Sequence, residues 1–469
     1  MIGRQSEITL LENKFKSESA DFVVLFGRRR VGKTYLVRSV FKERITFQLT
    51  GLANATLSQQ LINFQIAVNE IKTIEEQSIP KTWIEAFQQL KKIIDADTSS
   101  KKVIFIDELP WLDTKKSNFV QALEHFWNSW ASNRNDILLI VCGSAASWMI
   151  NKLINNKGGL HNRVTLKLKI EPFTLNECKE YVDSKNIQLS NYQLIELYMV
   201  MGGIPFYWEQ INKGLSATQN IQQLCFEKNG LLRTEFTNIF KSLFLHSENH
   251  ERIIEALAKK SMGLTREEII RLAKFENGGS LTRLLTELEE SGFIRKYIPF
   301  GKKSRNSIYQ LSDFYCLFYL KFIKSAQSLE VNWSNSIDNP AHRSWSGYAF
   351  EQVCLYHTKQ IKQALGISGI ETQVFSWRSV SSDSGAQIDL VIDRRDQTIN
   401  ICEMKFSMSE FTIDKKMDLN LRNKIGVFKS ETKTKKAIFL TFITPFGIKQ
   451  NEYAGNVQNN LLMDVMFTA

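Results

Sequence analysis

The feature that most constrains the fold is a glycine-rich loop between a short apolar segment and a helical one. Phe22-Val23-Val24-Leu25-Phe26 is wholly apolar, as a central strand of a parallel sheet is, and Gly27-Arg28-Arg29-Arg30-Val31-Gly32-Lys33-Thr34 follows it directly. Glycines let such a loop wrap an anion, so that backbone N–H groups and the start of the next helix face phosphate oxygens. The sequence therefore predicts an α/β core that binds nucleotide phosphates through residues 27–34, with Tyr35 beside them.

Two side chains of this loop and an acidic pair have expected roles in holding ATP. The ammonium of Lys33 is expected to reach the β- and γ-phosphates, and the hydroxyl of Thr34 to bind Mg²⁺. Asp107 and Glu108 follow a second apolar segment, residues 103–106. Asp107 is expected to bind the same Mg²⁺, and Glu108 to accept the proton of the attacking water, which favours hydrolysis over phosphotransfer. The alternative for the pair is a solvated acidic strand end.

Two further polar residues are candidates for the same chemistry. Ser144 follows the apolar segment 137–141 and Cys142-Gly143, which places it to hydrogen-bond the γ-phosphate or the lytic water. Its alternative role is the N-cap of a helix that begins at the next residues. Arg163 is a candidate arginine finger, which would stabilise charge in the transition state. A solvated arginine is an equally consistent interpretation.

Length, apolar runs and cysteine spacing predict a multidomain protein of the cytoplasm. A chain of 469 residues is long enough for two to four domains. It contains no run of eighteen apolar residues, and its first residues lack the apolar core of a signal peptide. Its six cysteines form no CxxC pair, which indicates buried, reduced thiols.

The charge balance favours a polyanionic partner. Lysine and arginine together number 60 against 49 acidic residues, which gives a formal net charge of +11. Such an excess is typical of nucleic-acid-binding proteins, although many basic proteins bind none. Nucleic acid, with DNA favoured, is therefore the expected partner, and a homo-oligomer is a further alternative.

Element patterns divide the chain into four domains and a linker, and they predict a multidomain α/β protein. The predicted segments are an α/β core at 1–171, a helical lid at 172–245, a winged-helix domain at 246–329, a polar linker at 330–340 and a second α/β domain at 341–469. Strands are expected in the last domain near 371–377, 387–393, 398–404 and 436–442.

The winged-helix prediction rests on the order of three short helices and then two strands. Thr265-Arg266-Glu267-Glu268 is a capping box that opens the second helix. Residues 281–290 would form the recognition helix, and Lys302-Lys303-Ser304-Arg305 the wing tip, whose charges suit phosphate contact. The acidic side chains of Glu287, Glu289 and Glu290 oppose insertion into DNA. Contact with DNA and packing against the lid therefore both stay open.

The last domain contains a constellation that is typical of metal-dependent nucleases. Strand alternation sends Glu403 and Lys405 to one face, and the preceding predicted strand carries Asp389. The carboxylates would hold Mg²⁺, with Mn²⁺ as an alternative, and the lysine would activate water or stabilise the phosphorane charge. A solvated strand face is the alternative, since an E-x-K pattern alone is weakly specific.

Together these segments resemble archaeal-type ATPases, prokaryotic P-loop proteins close to the STAND branch of the AAA+ enzymes. The resemblance is carried by Ile2-Gly3-Arg4, residues 27–34, residues 105–112, Cys142-Gly143-Ser144 and Gly202-Gly203-Ile204-Pro205. It implies that Gly3, Arg4 and Pro205 lie on the adenine side of the nucleotide.

Residues 341–469 resemble the PD-(D/E)xK, or restriction-endonuclease-like, domain at the C-terminus of many such ATPases. The resemblance implies that Glu351 completes the metal ligands. The chain departs from the family pattern by having Gln387-Ile388-Asp389 in place of Pro-Asp, a departure common in divergent members. Cleavage competence is a separate question, because such domains can survive as binding modules. The expected function is an ATP-hydrolysing, nucleotide-regulated DNA-binding protein or Mg²⁺-dependent nuclease. The alternative is a STAND-like switch or scaffold that works through protein contacts and carries an inactive nuclease-like module.

Overall fold

The computed structural model describes residues 2–71, 78–156, 158–244, 246–302, 306–326, 331–379 and 386–468. The chain divides into two compact units, Met1–Pro172 and Phe173–Ala469. Within the described residues, no helix combines the length and apolar character needed to span a bilayer. The six cysteines are buried and form no disulfide with one another, as their spacing predicts.

The first unit is built on a five-stranded parallel sheet with the strand order β2-β3-β4-β1-β5. Its strands are β1 (Asp21–Phe26), β2 (Ile45–Thr50), β3 (Lys102–Asp107), β4 (Ile137–Gly143) and β5 (Leu166–Lys169). Its helices are α1 (Gln5–Phe15), α2 (Lys33–Phe41), α3 (Leu57–Asn69), α4 (Trp83–Ala96), α5 (Phe119–Ser129) and α6 (Ala146–Met149). The three predicted strands are confirmed as β1, β3 and β4, whereas the sequence pattern missed β2 and β5.

The strand order determines where polar side chains of the first unit meet. Every residue of β3 and β4 is buried, as expected for strands covered on both faces. Strand β4 pairs with β1 on one side and with β3 on the other. Because the strands are parallel, the segments that follow β1, β3 and β4 leave the sheet at one edge. Residues 27–34, 107–108 and 144 are therefore brought together at that edge.

The second unit begins with helices and continues into a small antiparallel sheet of order β6-β8-β7. The helices are α7 (Leu175–Ser184), α8 (Asn191–Met201), α9 (Pro205–Trp208), α10 (Ala217–Ile221), α11 (Glu235–Leu243) and α12 (Ser247–Ala258). They are followed by β6 (Leu264–Thr265), α13 (Arg266–Ala273), α14 (Gly279–Glu290), β7 (Ile294–Tyr297) and β8 (Ile308–Leu311). The capping box at Thr265 and Glu268 is confirmed.

The remainder of the second unit carries a five-stranded mixed sheet of order β13-β12-β11-β10-β9. Its elements are α15 (Phe314–Phe318), α16 (Lys324–Ala326), α17 (Pro340–Tyr356), α18 (Thr358–Ala364), β9 (Thr372–Arg378), β10 (Gln387–Arg394), β11 (Thr398–Met404), α19 (Lys415–Thr432), β12 (Ala437–Thr444) and β13 (Asn459–Leu462). The four predicted strands are confirmed as β9 to β12. Strand β13 was missed because its mostly polar start gives no alternation signal.

Residues 331–340, which their polar composition predicts as a linker, are packed instead. Trp333 is 2% exposed, and its ring stacks on Phe226 at 5.5 Å between centroids. It also lies 5.0 Å from the ring of Phe318. A single buried tryptophan thus anchors a segment of mostly polar composition. Residue 330 lies outside the described residues.

A buried histidine joins the start of α7 to the C-terminal half of the second unit. His357 is fully buried, and its Nε2 accepts a hydrogen bond from the backbone N–H of Leu175 at 2.9 Å. Its Nδ1 lies 2.8 Å from the carbonyl oxygen of Val353, to which it therefore donates. Burial lowers the pKa of His357 to about 4. The neutral ring thus satisfies an N–H group that the first turn of a helix leaves without a partner.

We expect this histidine to make the free energy of unfolding depend on pH. Because His357 has a lower pKa in the folded chain than the ordinary 6.5, its contribution is complete above pH 6.5 and declines as the pH falls toward 4. The loss should be on the order of 2 kcal/mol at pH 5. Denaturant unfolding at pH 5 and pH 7.5 should therefore differ less in His357→Gln than in the parent protein.

The exposed His125 on α5 provides the matched control. His125→Gln should retain the pH response of the parent protein. An identical pH response in His357→Gln and the parent would contradict the expected role of His357.

Candidate functional site

The loop after β1 has a backbone that only glycine accommodates at its two ends. Gly27 has a φ of +138°, and a Cβ at this position would lie 2.4 Å from the carbonyl oxygen of Ile170. Gly32 has a φ of +90°, and the space around its missing Cβ is open for 4 Å. Helix α2 starts at the next residue, and no side chain caps its N-terminus. The uncapped N–H groups beside open space fit the phosphates of a nucleotide.

Lys33 lies inside this loop. Its Nζ donates to the carbonyl oxygens of Gly27 at 3.0 Å and Arg28 at 2.9 Å, and it lies 3.4 Å from the hydroxyl of Ser144. Burial lowers the pKa of Lys33, whereas the negative charge of Glu108 acts in the opposite direction. The loop therefore holds the ammonium at the place where phosphate oxygens are expected.

Thr34 and Asp107 are in direct contact. The Thr34 hydroxyl donates to Asp107 Oδ2 at 2.7 Å, while Cys142 Sγ donates to Asp107 Oδ1 at 2.5 Å. The backbone N–H of Glu108 also donates to Oδ1, at 2.9 Å. A hydroxyl beside a buried carboxylate is a donor set that suits Mg²⁺, which prefers oxygen ligands. The sequence interpretation missed Cys142 because chain order does not reveal that β3 and β4 are neighbours.

Glu108 is held by Ser144. The Ser144 hydroxyl donates to Glu108 Oε1 at 2.6 Å, and the Ser144 N–H lies 3.4 Å from Oε2. Glu108 has a φ of 47°, a left-handed conformation that is costly for a residue with a side chain. The N-cap interpretation of Ser144 is wrong, because α6 follows Ala145 and no side chain caps it. Ser144 therefore orients the carboxylate that sequence interpretation assigns as the general base.

The other residues predicted around the nucleotide lie in different settings. Arg4 is buried, and its guanidinium donates to the carbonyl oxygens of Glu171 at 2.5 Å and Val31 at 3.3 Å, which ties the N-terminus to the loop. Gly3 precedes it with a φ of 61°. Arg28 is buried and Arg30 half-buried, whereas Arg29, Tyr35 and Arg163 are exposed. Pro205 starts α9 in the second unit, so its nucleotide-side role stays a prediction.

Asp389 and Glu403 lie on neighbouring antiparallel strands. Leu390 pairs with Cys402, so the next step of the same register sets Asp389 opposite Glu403 on one face. The pairing of β10 with β9 shifts register between Ile388 and Val391, an interval that contains Asp389 and Leu390 and corresponds to a β-bulge or a similar irregularity. Bulges of this kind re-aim a side chain next to a site. Asp389 also accepts a hydrogen bond from the Gln387 amide at 2.5 Å.

Two lysines neutralise Glu403. Lys405 Nζ lies 2.7 Å from Oε1, and Lys424 Nζ, from α19, lies 2.9 Å from Oε2. Burial acts to raise the pKa of Glu403, but the two ammonium groups lower it overall. Sequence interpretation missed Lys424, since its position depends on how α19 packs on the sheet.

Glu351, from α17, faces the same region. It lines a cavity of about 280 Å³ together with Gln387, Asp389 and Lys424. Burial raises the pKa of Glu351 to about 8, and the nearby Asp389 carboxylate adds to this shift. Burial also raises the pKa of Asp389. Glu351, Asp389, Glu403 and Lys405, which the sequence predicts as one centre, therefore converge.

The donor set of this cavity suits a divalent cation bound through few protein ligands. Across the described parts of the chain, no three His, Cys, Asp or Glu side chains are arranged to hold a metal ion. Mg²⁺ commonly retains several waters and binds through one or two carboxylates together with substrate phosphates. Asp389 and Glu403 could supply such a pair, with Glu351 next to them.

Helix α14 presents less negative charge outward than its sequence predicts. Glu287 Oε2 lies 2.8 Å from Nε2 of the buried His250 on α12, so this carboxylate faces the interior of the module. Thr282, Arg283 and Thr286 are exposed on the helix. Of the predicted wing tip, Lys302 is exposed, and residues 303–305 lie outside the described residues.

Comparison with known proteins places the first part of the chain. Residues 1–211 match a family described as an ATPase domain predominantly from Archaea. The uncharacterized protein MJECL04 of Methanocaldococcus jannaschii is 27% identical over 357 residues, which are 75% of this chain and 76% of that protein. The uncharacterized ATP-binding protein MJ0423 of the same organism is 37% identical over 43 residues, 9% of this chain and 73% of that protein.

A solved structure shares the fold. The Walker-type ATPase PABY2304 of Pyrococcus abyssi aligns over 69% of this chain and 96% of its own, with 16% identity and a TM-score of 0.50. The family match, the phosphate-binding loop and the Thr34–Asp107 contact agree with one another. Residues 1–211 therefore contain an archaeal-type P-loop ATPase domain, and the protein is an ATPase.

Proposed function

We propose that this ATPase acts on nucleic acid, with DNA favoured, through a metal-dependent nuclease centre in residues 341–469. The observation that carries this proposal is that the strand register sets Asp389 opposite Glu403, which pairs with Lys405, while Asp389 and Glu351 line one cavity. Two carboxylates beside a lysine are the side chains that phosphodiester hydrolysis with a divalent cation requires.

At this centre, Asp389 and Glu403 would hold Mg²⁺ or Mn²⁺, with Glu351 beside them; the three-carboxylate ligand set that the resemblance implies is not formed among the described residues. The cation would polarise the phosphodiester and lower the pKa of a bound water. Lys405, which now pairs with Glu403, would orient the attacking water or stabilise charge on the phosphorane oxygens. Lys424 holds the other Glu403 oxygen and would keep this carboxylate in position.

At the ATP site, the proposed role of each residue follows from the contacts that its side chain makes. Lys33 would bind the β- and γ-phosphates, Thr34 and Asp107 would hold Mg²⁺, and Glu108 would accept the proton of the lytic water. Ser144 would position Glu108 through the 2.6 Å hydrogen bond. The adenine-side roles of Gly3, Arg4 and Pro205, and the finger role of Arg163, remain proposals that the family resemblance motivates.

A winged-helix interpretation of residues 246–329, in which three helices and three strands lie within 246–311, fits this function. The order of three helices and three antiparallel strands supports it, as does the inward position of Glu287. The chain's net charge of +11 favours contact with phosphate. Residues 246–311 would then guide DNA toward the C-terminal cavity.

One observation favours a second candidate, a nucleotide-dependent switch or scaffold that works through protein contacts and whose nuclease-like module does not cut. Both oxygens of Glu403 are already paired with lysines. A cation would have to displace at least one of these ammonium groups. A cleavage assay with Mg²⁺ and Mn²⁺ on single- and double-stranded DNA and RNA, with and without ATP, decides between the two functions.

Replacing the lysine of the phosphate loop should impair ATP binding. Lys33→Ala removes the ammonium directed at the phosphates, so the Kd for ATP should rise by at least about tenfold. Calorimetric titration measures this change, and Lys92→Ala, at an exposed position on α4, is the control. Equal affinity in Lys33→Ala and the parent would refute the assignment of the loop.

Replacing the proposed base should separate binding from hydrolysis. Glu108→Gln keeps the side-chain size but cannot accept a proton, so kcat should fall by about 10²- to 10⁴-fold while ATP still binds. Phosphate release and nucleotide titration give the two quantities. The exposed Glu43 provides the control variant Glu43→Gln. Unchanged turnover in Glu108→Gln would mean that another group activates the water.

The C-terminal centre should be separable from the ATP site. Glu403→Ala and Lys405→Ala should each abolish nucleic-acid cleavage, because they remove a proposed metal ligand and its neighbouring ammonium, while ATP hydrolysis continues. Lys435→Ala, at an exposed position before β12, should cut like the parent protein. Cleavage that survives both substitutions would place the activity elsewhere, and no cleavage by the parent with either cation would favour the scaffold.

A further inference from the structure

A partly buried arginine lies next to the C-terminal cavity with neutral partners. Arg295, on β7, donates through Nη2 to Gln310 Oε1 at 2.6 Å and to Gln352 Oε1 at 2.8 Å. Neither amide oxygen carries a counter-charge. Burial lowers the pKa of Arg295, which is the signature of a cation that has lost water. We call Arg295, Gln310 and Gln352 the Arg295 cluster.

One member of the Arg295 cluster has an unused donor. Gln352 is 2% exposed, and its Nε2 has no hydrogen-bond partner among the described residues. Because the Oε1 atom of Gln352 accepts from Arg295, the orientation of the amide is fixed and Nε2 must be the donor. Buried donors are normally satisfied, so an unused one next to a guanidinium indicates a missing acceptor.

The Arg295 cluster is connected to the cavity that Glu351 and Asp389 line through residues of the cavity wall. Gln310 Nε2 donates to the carbonyl oxygen of Ser261 at 2.7 Å, and Ser261 is a lining residue of the cavity. Gln352 directly follows Glu351 on α17. Ser261 and Met262, which precede the small antiparallel sheet, therefore line one cavity together with residues of the C-terminal module.

We propose that the Arg295 cluster is a phosphate-binding subsite, which takes a phosphate group of the strand that enters the C-terminal cavity. A guanidinium presents N–H donors in a planar fork that matches two phosphate oxygens, and the Gln352 amide adds a neutral donor. The chemistry of the ligand follows from these donors, whereas its identity as a nucleic-acid strand rests on the proposed function.

The charges around the cavity explain why a separate cation is required. Lys405 and Lys424 both pair with Glu403. Glu351 and Asp389 would repel a phosphate. Arg295 lies on a different strand pair, its hydrogen bonds to Gln310 and Gln352 are to neutral amides, and the charge of Asp389, a residue of the cavity wall, acts to raise its pKa against the effect of burial. It is therefore suited to hold a phosphate while the carboxylates hold a metal ion.

Strand binding in the full chain tests this subsite. The protein carries Lys33→Ala, so that the ATP loop does not compete for phosphate, and the probe is a short fluorescent single-stranded oligodeoxynucleotide with Ca²⁺. Arg295→Gln should raise the Kd about tenfold to a hundredfold, and it should reduce the salt dependence by about one ion. Lys296→Gln removes the neighbouring exposed charge of the same strand and should stay within about twofold.

A second variant guards against misfolding. Gln352→Glu preserves side-chain size and gives Arg295 a carboxylate partner, so the melting temperature should hold or rise while strand binding weakens as in Arg295→Gln. Unchanged Kd values in both Arg295→Gln and Gln352→Glu would overturn the subsite.

Two further arms identify the ligand and isolate the proposal from nuclease activity. If inorganic phosphate competes with the oligonucleotide in an Arg295-dependent manner, the subsite takes the phosphate group itself; if it does not, the subsite needs the strand, and both results uphold it. Arg295-dependent binding without cleavage in Mg²⁺ or Mn²⁺ would support the phosphate subsite and contradict the proposed nuclease activity. Cleavage with the same KM in Arg295→Gln and the parent protein would support the nuclease activity and contradict the subsite.

Discussion

The hydrogen bond from Thr34 to Asp107 is the contact on which the ATP site depends. It joins the segment after β1 to the end of β3, although β4 lies between these strands. The end of β4 is tightly packed beside it: a Cβ at Gly143 would lie 2.6 Å from Pro110 Cδ, and Cys142 adds a hydrogen bond to Asp107. A side chain at residue 143 would therefore press on Pro110, two residues after Glu108.

Near the C-terminal cavity, three largely buried carboxylates lie close to two lysines, and both lysines pair with the same carboxylate. Glu351 has a raised pKa and Glu403 a lowered one, since burial dominates at the first and two ammonium groups dominate at the second. Environments that push the pKa values of neighbouring acids apart are typical of catalytic sites. Structural ion-pair networks produce similar pKa shifts. The proposal of a catalytic centre therefore depends on the positions of Asp389 and Lys405 and on the cavity, and not on the pKa shifts alone.

The local sequence predicts the strands and the glycine-rich loop, whereas contacts between distant segments depend on which strands and helices become neighbours in the fold. The loop 27–34 and the strands β1, β3 and β4 follow from apolar runs and glycines, because both signals are local. The E-x-K alternation likewise sets Glu403 and Lys405 on one face. The partnerships of Cys142 with Asp107 and of Lys424 with Glu403 join elements whose adjacency arises only on folding, so spacing carries no trace of them.

The burial of Trp333 limits where recombination between genes could divide this chain. Its ring is covered by Phe226 and Phe318 from the preceding helices and by Trp345 from α17. A recombination event within residues 331–340 would therefore expose aromatic surface on both products. The helices before this segment and the sheet after it can be exchanged between genes only as one block, whatever the polarity of the residues that join them.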